Sequence, residues 1–297
     1  MSEIKTLYIV GPTASGKTAL SIELAKELNG EIICADSQTI RRDMNIGTAK
    51  PLAKEMQGIR HHMLDIIDPY DGYSLALFQK MAKKVISEIH SRNKPAIIVG
   101  GTGLYVDALY QNFTLPTLAK HLAGSNPATR SDPATGLDLA SLSDEGLRER
   151  ILEKGYDMPL NDKNRRHLEN VLLREGRGGA SSEPEPGAII VGINPGRQVL
   201  IDRINSRVDK MFEAGFVDEV RSLIEKYGRP PKSFDAIGYK IVMRHIDGEI
   251  SLEESKELFK IADRQYAKRQ MAWFKRNQHI KWFEVPAEAK SYILSLC

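Results

Sequence analysis

The run Gly11-Pro12-Thr13-Ala14-Ser15-Gly16-Lys17-Thr18 has the G-x-x-x-x-G-K-[ST] spacing of a phosphate-binding loop. Glycines at that interval let backbone N–H groups turn inward around phosphate oxygens. Lys17 adds a point charge, and the Thr18 hydroxyl is placed to ligate Mg²⁺. The chemistry is therefore that of a di- or triphosphate. Two further landmarks follow apolar runs: Asp36-Ser37 after Ile32-Ile33-Cys34-Ala35, and Gly100-Gly101-Thr102 after Ala96-Ile97-Ile98-Val99. Many phosphate-loop enzymes end such a run in an acid that helps hold Mg²⁺. Here no carboxylate stands after Val99. Asp36 can serve a metal or act as a base on an acceptor, and at this point a kinase stands beside other phosphate chemistry.

These landmarks need strands to hold them. Thr6–Val10 reads as a buried strand running into the loop, and Thr18–Leu28 as a helix with Leu20, Ile22, Leu24, Ala25 and Leu28 at helical spacing. Asn29-Gly30 stops it. Glu31–Ala35 and Pro95–Val99 read as strands, and Leu77–His90 as a helix between them. Alternation of this kind predicts an α/β fold, a P-loop NTPase-like parallel sheet flanked by helices. Ligands gather at the C-terminal ends of such strands, where all three landmarks fall. The pattern weakens after Gln111. Residues 114–144 are rich in Pro, Ala, Ser, Thr and Gly; Glu145–Glu153 and Asp162–Arg174 look helical; Ala188–Ile193 is again a strand. We read 1–112 and 188–297 as one core and 113–187 as a mainly helical insertion domain. Arg197–Tyr227 holds one or two helices, and Ser251–Arg276 a long one.

Composition is that of an ordinary globular chain: 297 residues, 41% hydrophobic, 27% charged, net charge +3. The two cysteines, Cys34 and Cys297, form no metal or disulfide spacing. No apolar run approaches a membrane span, and the start Met-Ser-Glu-Ile-Lys is not a charged-then-apolar leader, so a cytoplasmic protein is expected. His61 and His62 are adjacent and lack a third ligand nearby, which favours structural histidines. From Arg264 to Phe283 there is no Asp or Glu, while Arg264, Lys268, Arg269, Lys275, Arg276 and Lys281 alternate with Tyr266, Trp273, Phe274 and Trp282. Composition alone fits a phosphate-backbone surface and a helix packing its aromatics inward equally well.

Four segments together are more specific than the loop: Ala35-Asp36-Ser37 with Met44-Asn45-Ile46-Gly47-Thr48-Ala49-Lys50-Pro51; His61-His62-Met63-Leu64-Asp65-Ile66-Ile67-Asp68-Pro69; Gly100-Gly101-Thr102-Gly103-Leu104-Tyr105; and Gly238-Tyr239-Lys240 with Arg264-Gln265-Tyr266-Ala267-Lys268-Arg269-Gln270. In this order they resemble the tRNA dimethylallyltransferase family (tRNA isopentenyltransferases), over most of 5–112 and again around 188–283. The resemblance implies transfer of a dimethylallyl group from its diphosphate to N6 of adenine 37 in tRNA. The loop Gly11–Thr18 would then hold the diphosphate leaving group, with Mg²⁺ bound through Thr18.

By the same resemblance, Asp36 would take the proton from N6, Thr102 would lie at the reacting centre, and Arg207 would help neutralise the diphosphate. Asp36, Ser37, Gln38, Thr39 and Thr102 would meet the target base. Gly238, Tyr239, Lys240, Arg264, Lys268 and Arg269, with Asn164 and Arg165 of the insertion, would meet the anticodon stem-loop. A monomer is expected. The alternatives are an adenylate isopentenyltransferase acting on free nucleotides and a small-molecule kinase; the insertion and basic segment argue against the first. Departures from the family pattern are Thr39 in place of glutamine, Arg41 in place of tyrosine, Asp235 in place of arginine, and Arg130 later than its usual place.

Overall fold

The computed structural model describes residues 5–113, 138–159, 162–173, 184–231, 234 and 236–296. Asp235 and Arg130 lie outside them. The chain divides into two compact units, one of Met1–Tyr110 with Glu185–Cys297 and the other of Gln111–Pro184.

The first unit begins β1 (Thr6–Val10), α1 (Lys17–Glu27), β2 (Glu31–Cys34), α2 (Ala53–Met56), β3 (His61–His62), α3 (Leu75–His90), β4 (Ala96–Gly100) and α4 (Gly103–Tyr110). The second unit contributes α5 (Asp144–Glu153) and α6 (Arg165–Leu173). The first resumes with β5 (Ile189–Ile193), α7 (Arg197–Glu213), α8 (Phe216–Tyr227), α9 (Ile237–Ile246), α10 (Leu252–Phe274), β6 (Lys281–Phe283) and α11 (Pro286–Leu294). Among the described residues no helix is long and apolar enough to cross a membrane.

Six parallel strands form one sheet in the order β3-β2-β4-β1-β5-β6. Register decides where the site can be. Val10 stands opposite Gly100, and Cys34 opposite Val99, so β1, β2 and β4 end level. Gly11, Asp36 and Thr102 therefore leave the sheet along one edge.

Alternation along the strands sorts side chains to two faces. Tyr8, Val10, Ile33 and Ile98 pack with Phe78, Val106 and Leu109 of α3 and α4. Leu7, Ile9, Ile32 and Ile97 pack with Leu20 and Leu24 of α1 and Ile293 of α11. Each such fully buried side chain contributes roughly 1.5–3 kcal/mol. A third core joins α7, α8, α9 and α10 through Met211, Phe216, Tyr239 and Phe259.

Two ends of the long helices are fixed locally. Ser251 caps α10, its hydroxyl accepting the Glu254 amide at 3.2 Å while the Glu254 carboxylate accepts the Ser251 amide at 2.7 Å. Ser74 caps α3 by accepting the Leu77 amide at 3.2 Å. In the second unit, Leu147, Ile151, Leu168 and Leu172 make a small separate core.

Candidate active site

The phosphate loop bridges β1 and α1. Gly16, at φ +97°, occupies a conformation that L side chains rarely adopt, and it turns the chain into the first turn of α1. The Lys17 ammonium donates to the Pro12 carbonyl at 2.6 Å and so is held across the loop. Burial pushes Lys17 down to about 8; Asp36 opposes that shift and Arg207 adds to it. The Ser15 hydroxyl is buried and has no hydrogen-bond partner among the described residues. A buried donor of that kind is costly unless something polar arrives.

Asp36 leaves β2 and closes a turn. One carboxylate oxygen accepts the amides of Gln38 at 2.8 Å and Thr39 at 3.2 Å. The turn-forming role of an aspartate at a strand end is thus real, and it orients the residue without consuming both oxygens. Thr102 leaves β4, and its hydroxyl accepts the Ser37 amide at 3.1 Å. The base-bearing turn and the β4 end are thereby joined.

The Asp36 turn and the β4 end at Gly100 and Gly101 face a cavity of about 970 Å³, lined also by Thr13–Thr18, Ser37–Thr39, Arg203, Arg207, Tyr266 and Gln270, among others; Thr102 stands behind that lining, bonded to Ser37. Arg207, on α7, is ion-paired with Asp263 of α10. Its Nε is buried and has no partner among the described residues. Arg203, one turn earlier, reaches the Ser15 carbonyl at 3.4 Å. Gly47, which also lines the cavity, belongs to the segment Asn45–Gly47, whose three amides donate to Glu219 at 2.9, 2.7 and 3.1 Å.

Three side chains of α10 were not read as site residues from the sequence. Asp263 holds Arg207; Tyr266 lines the cavity beside Thr102 and Gln270; Gln270 bonds both Thr13 and Gly101. Their spacing of three and four residues puts them on one helical face. That periodicity was the available signal, and the aromatics around them obscured it. Burial and the Asp36 charge both raise the Tyr266 hydroxyl, so it stays protonated.

Several of the residues expected to contact RNA also make bonds within the chain. Tyr239 is only 2% exposed, and its hydroxyl donates to Glu219 at 2.6 Å. Gly238 is pressed against the Phe259 ring. These two residues pack α9 against α8 and α10, and both also line the cavity. Arg165 spends its guanidinium inside the second unit, on Asp144 and Glu169 at 2.9 Å each and on the Leu139 carbonyl at 2.9 Å. Two aromatics of the basic segment turn inward: Phe274 is 1% exposed, and the Trp273 indole donates to Asp107 at 2.7 Å. Arg264 donates to Asn205 at 2.6 Å. Asn164, Lys240, Lys268 and Arg269 are exposed, and Arg269 borders the cavity.

The departures also find places. Thr39 is buried at the cavity, with a hydroxyl that has no partner among the described residues. The Arg41 guanidinium donates to the carbonyls of Pro69 and Asp71, pinning the loop after β3. His62 pairs with Glu31 at 2.8 Å, and His61 meets the Ile59 carbonyl at 2.9 Å. Among the described residues no group of three His, Cys, Asp or Glu is placed to hold a metal.

The family model described as IPP transferase matches residues 39–277. This chain belongs to that family. The match begins beyond Asp36, so the phosphate loop rests independently on its own geometry. A tRNA dimethylallyltransferase of Carboxydothermus hydrogenoformans is 37% identical over 97% of this chain and 94% of its own length. One from Halalkalibacterium halodurans is 38% identical over 95% and 91%. Among solved structures, a full-length tRNA isopentenylpyrophosphate transferase from Bacillus halodurans aligns with TM-score 0.72 and 36% identity, covering 98% of this chain and 96% of that one. A eukaryotic dimethylallyltransferase solved acting on tRNA aligns with TM-score 0.70 and 26% identity, covering 91% and 70%.

Proposed function

We propose that this chain transfers a dimethylallyl group from dimethylallyl diphosphate to N6 of adenine 37 in the anticodon loop of tRNA. The observation that carries the reading is that Asp36, Arg207 and the phosphate loop share one cavity. A carboxylate and a set of phosphate donors lining one cavity support the reading that they act on the two halves of one transfer.

In the reaction, the N6 lone pair forms a bond to C1 of the donor as the C1–O bond breaks. The bonding pair leaves with diphosphate, and the N6 proton passes to the free oxygen of Asp36. The loop amides, Lys17 and Arg207 receive the charge that develops on the departing oxygens. Thr102 holds the Ser37 end of the base-bearing turn in place.

Mg²⁺ fits this arrangement through Thr18, whose side chain is exposed at the cavity beside the loop. When bound, it supplies further neutralisation of the diphosphate. With no acidic cluster among the described residues, its other ligands would come from the substrate. Lys240, Lys268, Arg269 and Asn164 are the exposed groups offered to the RNA backbone. The reaction as written needs one copy of the chain and takes place where tRNA is, in the cytoplasm. Free adenylate and kinase chemistry are not favoured, since relatives matching nearly the whole chain carry the tRNA-transferase name.

The test is incubation with labelled dimethylallyl diphosphate and Mg²⁺, with either tRNA or AMP. Label should enter tRNA. Label in AMP alone, or nucleotide hydrolysis with no prenyl transfer, would sink the reading. Asp36→Asn should retain diphosphate binding and lose transfer by about 10²–10⁴-fold; normal turnover would remove Asp36 as the base.

A further inference from the structure

We infer that Gln270 is a positioning residue that sets the distance between the donor half and the acceptor half of the site. The inference rests on the proposed function. Gln270 sits on α10 and is 5% exposed. Its Oε1 accepts the Thr13 amide at 2.8 Å, and its Nε2 donates to the Gly101 carbonyl at 2.9 Å. One partner is a donor and the other an acceptor, so the amide satisfies both in a single orientation.

The two partners belong to the two reactants. Thr13 lies in the phosphate loop. Gly101 precedes Thr102, which in turn is bonded to the turn bearing Asp36. The β1–β4 ladder reaches Val10 and Gly100. Just past that point the chains part, one toward α1 and the other toward α4, and the Gln270 amide acts as one more rung between them. Close approach is required for this: a side chain at Gly101 would collide with the Gln270 amide. Tyr266, one helical turn earlier, stands beside both Gln270 and Thr102.

Displacement at C1 needs the attacking nitrogen and the departing oxygen in line. A misplacement of about 1 Å costs on the order of 10²-fold in rate. Neither end of the Gln270 amide bonds a group that reacts; it acts through Thr13 and Gly101. Its loss should therefore lower the chemical rate while leaving RNA binding alone.

Two variants of the full chain separate the bonds. Gln270→Met keeps the length and removes both. Gln270→Glu keeps an acceptor for Thr13 and removes the donor to Gly101. For each, thermal unfolding, KM for the tRNA and the single-turnover transfer rate at saturating substrates are measured with Mg²⁺. The expected result is a rate lower by about 10–100-fold in both, with the RNA KM within about twofold of wild type. A merely structural role would not give that split; it would remove folded protein and leave the remaining active fraction turning over normally. If Gln270→Met does not fold, Gln270→Glu decides alone. Wild-type single-turnover rates in the folded variants, or losses that only track the folded fraction, overturn the inference while the proposed function stands. No transfer by the wild-type chain overturns the proposed function and this inference with it.

Discussion

Arg207 and Asp263 form an ion pair across the cavity wall, joining α7 to α10. Asp263 is buried, and it engages one nitrogen of the guanidinium. The Nε of Arg207 is buried and has no partner among the described residues. Removing the charge with Arg207→Gln should lower kcat by about 10²–10³-fold, the scale of losing one preorganised donor to a developing oxyanion. Asp263→Asn leaves the charge and loosens its aim, so the expected loss is smaller, about tenfold, and falls mainly on KM for the donor. Equal effects of the two substitutions would contradict this division. Steady-state kinetics with varied dimethylallyl diphosphate measures it.

Lys17 gives the site a basic limb. Its ammonium stands at about 8 because burial disfavours the charged form. The charged form binds phosphate, so affinity for inorganic diphosphate is full below that value and falls as pH rises through it. Bound anion favours the ammonium and moves the limb upward in the complex. Lys17→Arg keeps its charge throughout, so the limb should flatten. Calorimetric titration from about pH 6.5 to 9.5, wild type against variant, separates Lys17 from the titration of diphosphate itself. Identical profiles would show that Lys17 does not set the limb.

Lys268 and Arg269 are exposed and Arg269 borders the cavity, whereas Phe274 is buried and Trp273 and Trp282 pack partly against the core. The contribution of the two basic residues to RNA binding is therefore expected to be electrostatic. The double substitution to Ala should weaken tRNA binding and reduce the slope of log affinity against log salt by about 2. It should leave diphosphate affinity within about twofold. A salt slope equal to wild type would exclude these two side chains as phosphate contacts.

Away from the chemistry, Glu31 anchors the start of β2. Burial acts to raise its carboxyl, but Arg92, His62 and Lys94 outweigh that and hold it near 2. A folded value below the unfolded one stabilises the native state above the ordinary carboxylate range. That stability is lost as pH falls from about 4.5 toward 2. Glu31→Gln should cost about 2 kcal/mol at neutral pH, after discounting the partly exposed Arg92. The difference in unfolding free energy should shrink in acid. A cost independent of pH would assign the effect to packing.

The central strands were legible because each is an apolar run, and β1, β2 and β4 lead into a glycine or an aspartate. β3 and β6 were not. His61–His62 and Lys281–Phe283 are too short and too polar to carry a pattern, and only pairing with β2 and β5 makes them strands. Within the site, the phosphate loop, Asp36, Thr102 and Arg207 could be named from motifs. Gln270 and Asp263 could not be assigned roles, because those roles come from α10 crossing the strand ends, with Gln270 bonding residues 257 and 169 positions away. Tyr239 and Arg165 carry contacts within the chain that the motif does not announce. Polar residues inside a functional motif invite a functional reading, and here Tyr239 also bonds Glu219 and Arg165 bonds Asp144 and Glu169.

The chain leaves the first unit at Tyr110 and returns at Glu185, and the Glu185 amide donates to the Tyr110 carbonyl at 3.1 Å. The Glu185 carboxylate also accepts from Thr6 and Tyr8, at 2.9 and 3.2 Å. The two ends are thus stitched together by the body they return to, whatever lies between them. Lengthening such a loop is cheap, about 0.6 kcal/mol per doubling. Gene segments of different size can therefore be exchanged at this junction over evolutionary time, or by a protein engineer, while the chemistry at the strand ends is inherited intact.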